Sequence, residues 1–570
     1  MHAIQRALAA AITATIVLLP GCGGSGPDES APPHRPPPVA PPPAVNTQAY
    51  RFLNQATFGA TEASAQRFGE LDDPAEYARW IDEQLVAEPS LQLPYMRAAL
   101  PNPVPAGFKI RQLNKQRIDI WFQNVMHGDD QLRQRVAWAL SQIMVVSQVA
   151  LAEYPLGLAD YYDTLSRDAF GDFRTLMQDV TLHPMMGVYL SMLGNQKPDS
   201  TRNIRPDENY AREFMQLFTV GLVQLNPDGT PQRDALGQPI PTFDQAVIEG
   251  FANVFTGWRW ACAAGSPANC KFGNTRPTAA NQVRPMQAFA DQHAKGAKLV
   301  LAYPGAARTS LPAGQTAAQD LADALDNVFN HPNVGPFIGR QLIQKLVASN
   351  PSPAYVQRIS AVFDDDGTGR RGNLAAVVRA ILLDDEARAE PGGATTGKVR
   401  EPVLRLTQLW RAYDAKAASG KYLHVDPTMD FGQGPLTAPS VFNFFSPFYA
   451  PPGTIGDEDL VAPELQLATE YQNTVIANFF FKQAFRHNSR SHVSDPDTVV
   501  IDIDGDLPYA PTPASLVASV VNRLLAGQAS ETLRAQVERQ VAHIRPSNGS
   551  QRVAEAVWLV TTSPEYAVQR

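Results

Sequence analysis

The segment RPDENYAREFMQLFTVG, residues 205–221, gathers Glu208, Asn209, Arg212 and Glu213 within six positions. A carboxylate held beside an arginine stays ionised, and in that state it serves as a general base or a metal ligand. A second set is Asp179 and His183 in DVTLHP, one helical turn apart, a spacing that can place both on one cation. A third is Asp291 and His293 in DQHAKG, two apart, as on one face of a strand. The segment PSVFNFFSPFYAPPG, residues 439–453, crowds aromatic rings between prolines. Phe442, Phe445 and Tyr449 are its candidates for stacking against a sugar or another extended ligand.

Each set also has a structural reading. Turned at about 100° per residue, Glu208, Asn209, Arg212, Glu213 and Gln216 fall on one side, and Tyr210, Phe214, Leu217 and Phe218 on the other. With Asp207 as N-cap and a Glu208–Arg212 pair one turn apart, physics alone makes this the solvated face of an amphipathic helix. His183-Pro184 and His331-Pro332 resemble helix ends, where imidazole faces the negative dipole end and proline stops the helix. Asp291 and His293 also fit a polar loop, and the aromatic segment fits a hydrophobic plug over a core. Gly367-Thr368-Gly369-Arg370-Arg371-Gly372 matches G-x-G-x-x-G, but the preceding SPAYVQRISAVF has helical spacing, whereas a dinucleotide site follows a strand. As a calcium loop the same stretch has Ala375 where the bidentate glutamate belongs. A helix–turn–helix connection capped by Asn373 accounts for it better. No H-E-x-x-H, no C-x-x-C and no G-x-S-x-G beyond the proline-rich start are found, and no cofactor is indicated.

The elements that must position these residues are helical. Asp73-Pro74-Ala75-Glu76, Thr316 with Gln319, Ser352-Pro353 and Thr512-Pro513 are helix starts. Leu132, Val136, Leu140 and Ile143 form one apolar stripe, and Val247, Phe251, Val254, Phe255 and Trp258 another. Strand-like runs are confined to residues 298–302 and 499–503. The expected fold is mainly α, a multi-helix body with few short strands and no repeat of fixed period.

The chain begins MHAIQRALAAAITATIVLLPGC, whose apolar run is too short to span a bilayer. Leu19-Pro20-Gly21-Cys22 resembles a bacterial lipoprotein signal over residues 1–21, with Cys22 the lipidated first mature residue and membrane anchorage the consequence. The glycine after Cys22 points to the outer membrane, facing the periplasm or the surface. Residues 22–46 are a proline-rich extended tether that is expected to be disordered, and 47–570 the body, with 262–310 as a possible insertion rich in Gly, Ala and Pro. Net charge is −8 without a basic cluster, so nucleic acid is not an expected partner. Cys262 and Cys270 read as a disulfide in an oxidising envelope, contributing roughly 2.5 kcal/mol by loop closure; zinc would need ligands from elsewhere.

PDENYAREFMQLFTVGL resembles the signature of a large family of exported bacterial proteins catalogued as domain of unknown function 1800. RFLNQATFGAT, QLRQRVAWALSQIMVVS, FANVFTGW, GNLAAVVRAILLDDEAR, GKVREPVLRL and PSVFNFFSPFYAPPG are similar to that family in the same order. The resemblance implies an exported, mostly helical protein, often encoded near a partner resembling sulfatases and alkaline phosphatases, with no established reaction. Its signature matches at Glu208, Asn209, Arg212 and Glu213 and its His-Pro segment at His183, which moves these residues from solvated face toward site. Two expectations follow. One is a surface module binding an extracytoplasmic polymer or protein, with the polar helix as an internal brace and an aromatic groove near 442–449. The alternative is a hydrolase-like enzyme using carboxylates of the 207–216 helix with His183, with or without a metal.

Overall fold

The computed structural model describes residues 39–69, 73–263, 270–390, 392 and 396–570. Cys22, the signal and the first part of the tether lie outside the described residues. The body is mainly α-helical, and its strands are three short antiparallel pairs: β1 (Trp258–Arg259) with β2 (Gln287–Ala288), β3 (Lys298–Leu299) with β4 (Ser310–Leu311), and β5 (Lys398–Val399) with β6 (Val568–Gln569). In the run at 499–503 the four apolar residues are buried and Asp502 is exposed, and its strand pairing is confined to an isolated bridge between Val500 and Lys416.

Local chemistry starts the helices where the residues indicate. Asp73 accepts the amide of Ala75 ahead of Pro74–Leu85, and Thr316 with Gln319 forms a reciprocal capping box ahead of Ala317–Phe329. Ser352 caps Pro353–Asp364 through Tyr355, and Asn373 caps Leu374–Leu383 through Ala376. The glycine-rich loop therefore joins two helices, and Asp366 is held in it by Thr368 and Asn373. At Thr512 the expected cap is diverted: its hydroxyl oxygen accepts the Val39 amide at 2.9 Å instead of a helix amide. The last residues of the proline-rich stretch thus dock on helix Pro513–Leu525, where Asn522 also donates to the Pro43 carbonyl at 3.0 Å. Residues 39–46, assigned to the tether from composition, are thus in contact with the body.

One continuous apolar core runs from Ala49 to Tyr566. The stripe Leu132, Val136, Leu140 and Ile143 lies inside it. So do Phe251, Val254, Phe255 and Trp258. The 262–310 stretch is tied to the body by β1–β2, β3–β4 closes a hairpin at its end, and a disulfide joins Cys262 to Cys270 with Cα atoms 5.8 Å apart. Pairing of β5 with β6 brings the C-terminus over Lys398, and so helps to close polar side chains into the centre. No helix among the described residues is long and apolar enough to cross a membrane.

Candidate functional site

Helix Asn209–Gln216 buries Tyr210, Phe214 and Met215, and the Tyr210 hydroxyl donates to Thr181 Oγ1 at 2.7 Å. Asp207 accepts the Asn209 amide at 2.8 Å. Asn209 is exposed, while Glu208 and Arg212 are half-buried and share a 3.3 Å contact. Gln245 donates to both oxygens of Glu208 at 3.0 Å. Glu213 departs from this face: it is 7% exposed, and its Oε2 meets no hydrogen-bond donor. Burial pushes its carboxyl up, and Arg212 only partly opposes the shift.

His183 ends helix Phe173–Leu182 and begins Pro184–Tyr189, its Nδ1 accepting the Met185 amide at 3.1 Å. Its other nitrogen faces Asp160 at 3.4 Å, not Asp179, which is exposed. No hydrogen bond or ion pair joins His183 to Glu213. His293 is fully buried, with Nε2 2.7 Å from Asp320 Oδ2, a carboxylate that Lys298 also reaches at 2.6 Å. Asp291 stays exposed on a turn and takes no part. Neither Asp179 with His183 nor Asp291 with His293 therefore forms a shared ligand set. Among the described residues the one group of three near enough to hold an ion is His424, Asp495 and Asp497. Its two ring nitrogens face different carboxylates, at 3.3 and 3.9 Å, as in a surface ion-pair cluster.

The aromatic segment builds something different. Asn443 adopts a left-handed backbone (φ 67°), a conformation asparagine tolerates better than most residues. On either side of it Phe442 is 58% exposed, while Phe445 is 2% exposed. A cleft of about 360 Å³ opens between this segment, the end of the 209–216 helix at Gln216 and Leu217, and helix Val334–Leu346. Phe337, Phe442, Phe445 and Phe448 contribute to its apolar walls. Tyr449 does not line it, and neither do Glu208, Asn209, Arg212 or Glu213. The size and the mixture of apolar wall with a few polar groups are those of a small-ligand site.

The polar groups include Lys345, Gln142, Gln344, Asn443, Gln341 and Arg340. Lys345 is 5% exposed; its ammonium donates to Gln142 Oε1 at 3.0 Å and lies 3.9 Å from the centre of the Phe445 ring. Burial pushes its pKa down to about 8, with Glu401 and Glu464 opposing and Lys398 and Arg135 reinforcing the shift. Oε1 of Gln344 and Oδ1 of Asn443 are buried and meet no donor. Behind Lys345 lies a closed network. Glu401 accepts from Trp138 and Gln142 at 2.9 Å each and from Gln433 at 2.7 Å, and Lys398 pairs with Glu464 at 2.9 Å. Arg135 donates to the Lys345 carbonyl at 2.6 Å.

The cleft is assembled from stretches already notable in the sequence: the end of PDENYAREFMQLFTVGL, Gln142 of QLRQRVAWALSQIMVVS, and PSVFNFFSPFYAPPG. The family profile described as Protein of unknown function (DUF1800) matches residues 51–568. The chain belongs to the DUF1800 family. No curated protein and no solved structure matches it. Within this DUF1800 chain, Lys345 and Gln344 escaped the sequence reading. Arg340, Gln341, Gln344 and Lys345 recur at the spacing of a solvated helix face, so the sequence carried no local signal of their burial.

Proposed function

We propose that this DUF1800 chain is a lipid-anchored protein of the cell envelope whose helical body is a binding module, with the aromatic cleft as its binding site. The observation that carries the reading is the cleft itself. Four phenylalanines surround buried amide oxygens that have no protein donor, and such groups cost free energy until a ligand or water satisfies them. The occupant is an apolar portion of an extracytoplasmic polymer or protein, and a companion resembling sulfatases or alkaline phosphatases is one candidate. Cys22 supplies the anchor to the outer membrane. Support for the enzymatic alternative rests on Glu213, whose carboxyl is raised and has one buried oxygen without a donor, yet no histidine or second carboxylate hydrogen-bonds with it.

An uncharged fluorescent probe, N-phenylnaphthylamine, tests the cleft in solution. The wild-type chain is expected to bind it with one-to-one stoichiometry. Phe442→Asp and Phe448→Asp, each at a 58% exposed ring, weaken binding by about tenfold or more without lowering the denaturation midpoint. Absence of saturable binding by the wild type sinks the reading.

A further inference from the structure

The closed network behind the cleft does not balance. Its cations are Arg135, Lys345 and Lys398 and its anions Glu401 and Glu464, so three positive charges meet two negative ones, and all five side chains are buried. The two carboxylates are each engaged through one oxygen: Glu401 Oε2 accepts three side-chain donors and Glu464 Oε1 takes Lys398, while the second oxygen of each is buried without a hydrogen-bond donor. Arg135 and Lys398 face inward, toward the carbonyls of Lys345 and Gln344. Lys345 is the network cation that reaches the cleft. It has three N–H donors; one is spent on Gln142, and the ring of Phe445 takes up part of the remaining charge. Arg340, whose guanidinium lies 5.4 Å from the centre of the Phe448 ring, adds a second cation to the same cleft. No carboxylate lines the cleft.

We propose that the cleft takes an apolar monocarboxylate, an aliphatic chain ending in a carboxylate, with the chain between Phe337, Phe442 and Phe448 and the carboxylate on Lys345. The anion supplies the missing negative charge, and a buried ammonium–carboxylate contact forms where desolvation has already been incurred in folding. An alcohol of the same length would fill the walls but leave the charge unbalanced. An alkylammonium would add a third cation beside Lys345 and Arg340. This inference rests on the cleft being the binding site and adds the charge of the ligand.

The test is calorimetric titration of the full chain with decanoate, decan-1-ol, decylammonium and acetate, with the uncharged naphthylamine as control. Decanoate is expected to bind at least about tenfold more tightly than decanol, which corresponds to about 1.4 kcal/mol. Acetate, without the chain, and decylammonium are expected to bind negligibly. Lys345→Met should retain decanol and the naphthylamine but lose the preference for decanoate. Because Lys345 is held low, decanoate binding to the wild type at pH 9 should take up protons, seen as a heat that depends on the buffer's ionisation enthalpy. This readout stands even if Lys345→Met fails to fold. Equal affinity for decanoate and decanol, preference for decylammonium, or no proton uptake at pH 9 overturns the carboxylate. If the naphthylamine still binds, the binding-module reading survives that result; if nothing binds, both fall.

Discussion

Glu213 and Glu401 are both buried glutamates, but their surroundings differ in a way that reverses the effect of removing their charge. Glu401 receives three hydrogen bonds; burial pushes its carboxyl up, but Lys398, Lys345, Arg135 and the Gln433 amide outweigh that and leave it below its usual range. A depressed carboxyl contributes stability that is present above its unfolded pKa and is lost as pH falls through the lower folded value. Glu401→Gln should therefore lower the denaturant-derived stability at pH 7 by roughly 3 to 5 kcal/mol, the cost of breaking a buried charged network. Glu213 has a raised carboxyl and an oxygen without a donor. For such a group the ionised form carries a penalty that is full above the folded pKa and fades as pH falls toward the unfolded value. Glu213→Gln should raise stability by roughly 1 kcal/mol at pH 7, with the gain shrinking toward pH 4. A loss of several kcal/mol at Glu213 would instead make the signature helix an internal brace.

At the scale of elements, capping and periodicity were legible because they are local. Thr316 and Gln319, or Asp73 and Pro74, determine a helix start within four positions, and the structure has those starts. The cleft was legible only in halves. The aromatic segment and the 205–221 stretch were both conspicuous, yet their meeting depends on long-range packing that no local pattern encodes. His293 was paired in sequence with its neighbour Asp291, while its actual partner Asp320 comes from the helix Ala317–Phe329. That triad depends on one small residue. On helix Gln245–Val254, a Cβ at Gly250 would lie 2.0 Å from the Leu299 carbonyl oxygen of β3. Beside Leu299, Lys298 supplies the ammonium that holds Asp320. Gly250→Ala gains up to about 1 kcal/mol in helix propensity but forces strand and helix apart. The expected net loss is on the order of 2 kcal/mol, read from thermal or denaturant unfolding. An unchanged midpoint would mean that β3 can move without disturbing the buried Lys298–Asp320–His293 set.

At the scale of the whole molecule, the first described residues pack against helix Pro513–Leu525, and this contact bears on where the body begins. Composition alone places the boundary after the last proline run, at Thr47, because prolines cannot form a core. In the structure Val39, Pro43 and Asn46 are already in use. The Val39 amide occupies Thr512, Asn522 holds the Pro43 carbonyl, and Asn46 accepts the Ala49 amide as cap of the first described helix, Thr47–Ala56. That helix in turn meets the far end of the chain, with the Thr47 hydroxyl donating to the Ala526 carbonyl at 2.8 Å. Cutting at residue 47 removes one cap worth about 1 kcal/mol and three hydrogen bonds, from Val39 to Thr512 and Ser515 and from Pro43 to Asn522, worth roughly 0.5 kcal/mol or more each. A chain of residues 47–570 is therefore expected to unfold about 2.5 kcal/mol more easily than residues 39–570, with faster amide exchange in helix 47–56 and in helix Pro513–Leu525. Equal stability of the two would show that the docked prolines follow the body without supporting it. A measured difference would show that residues 39–46 support the fold through their contacts with Thr512 and Asn522.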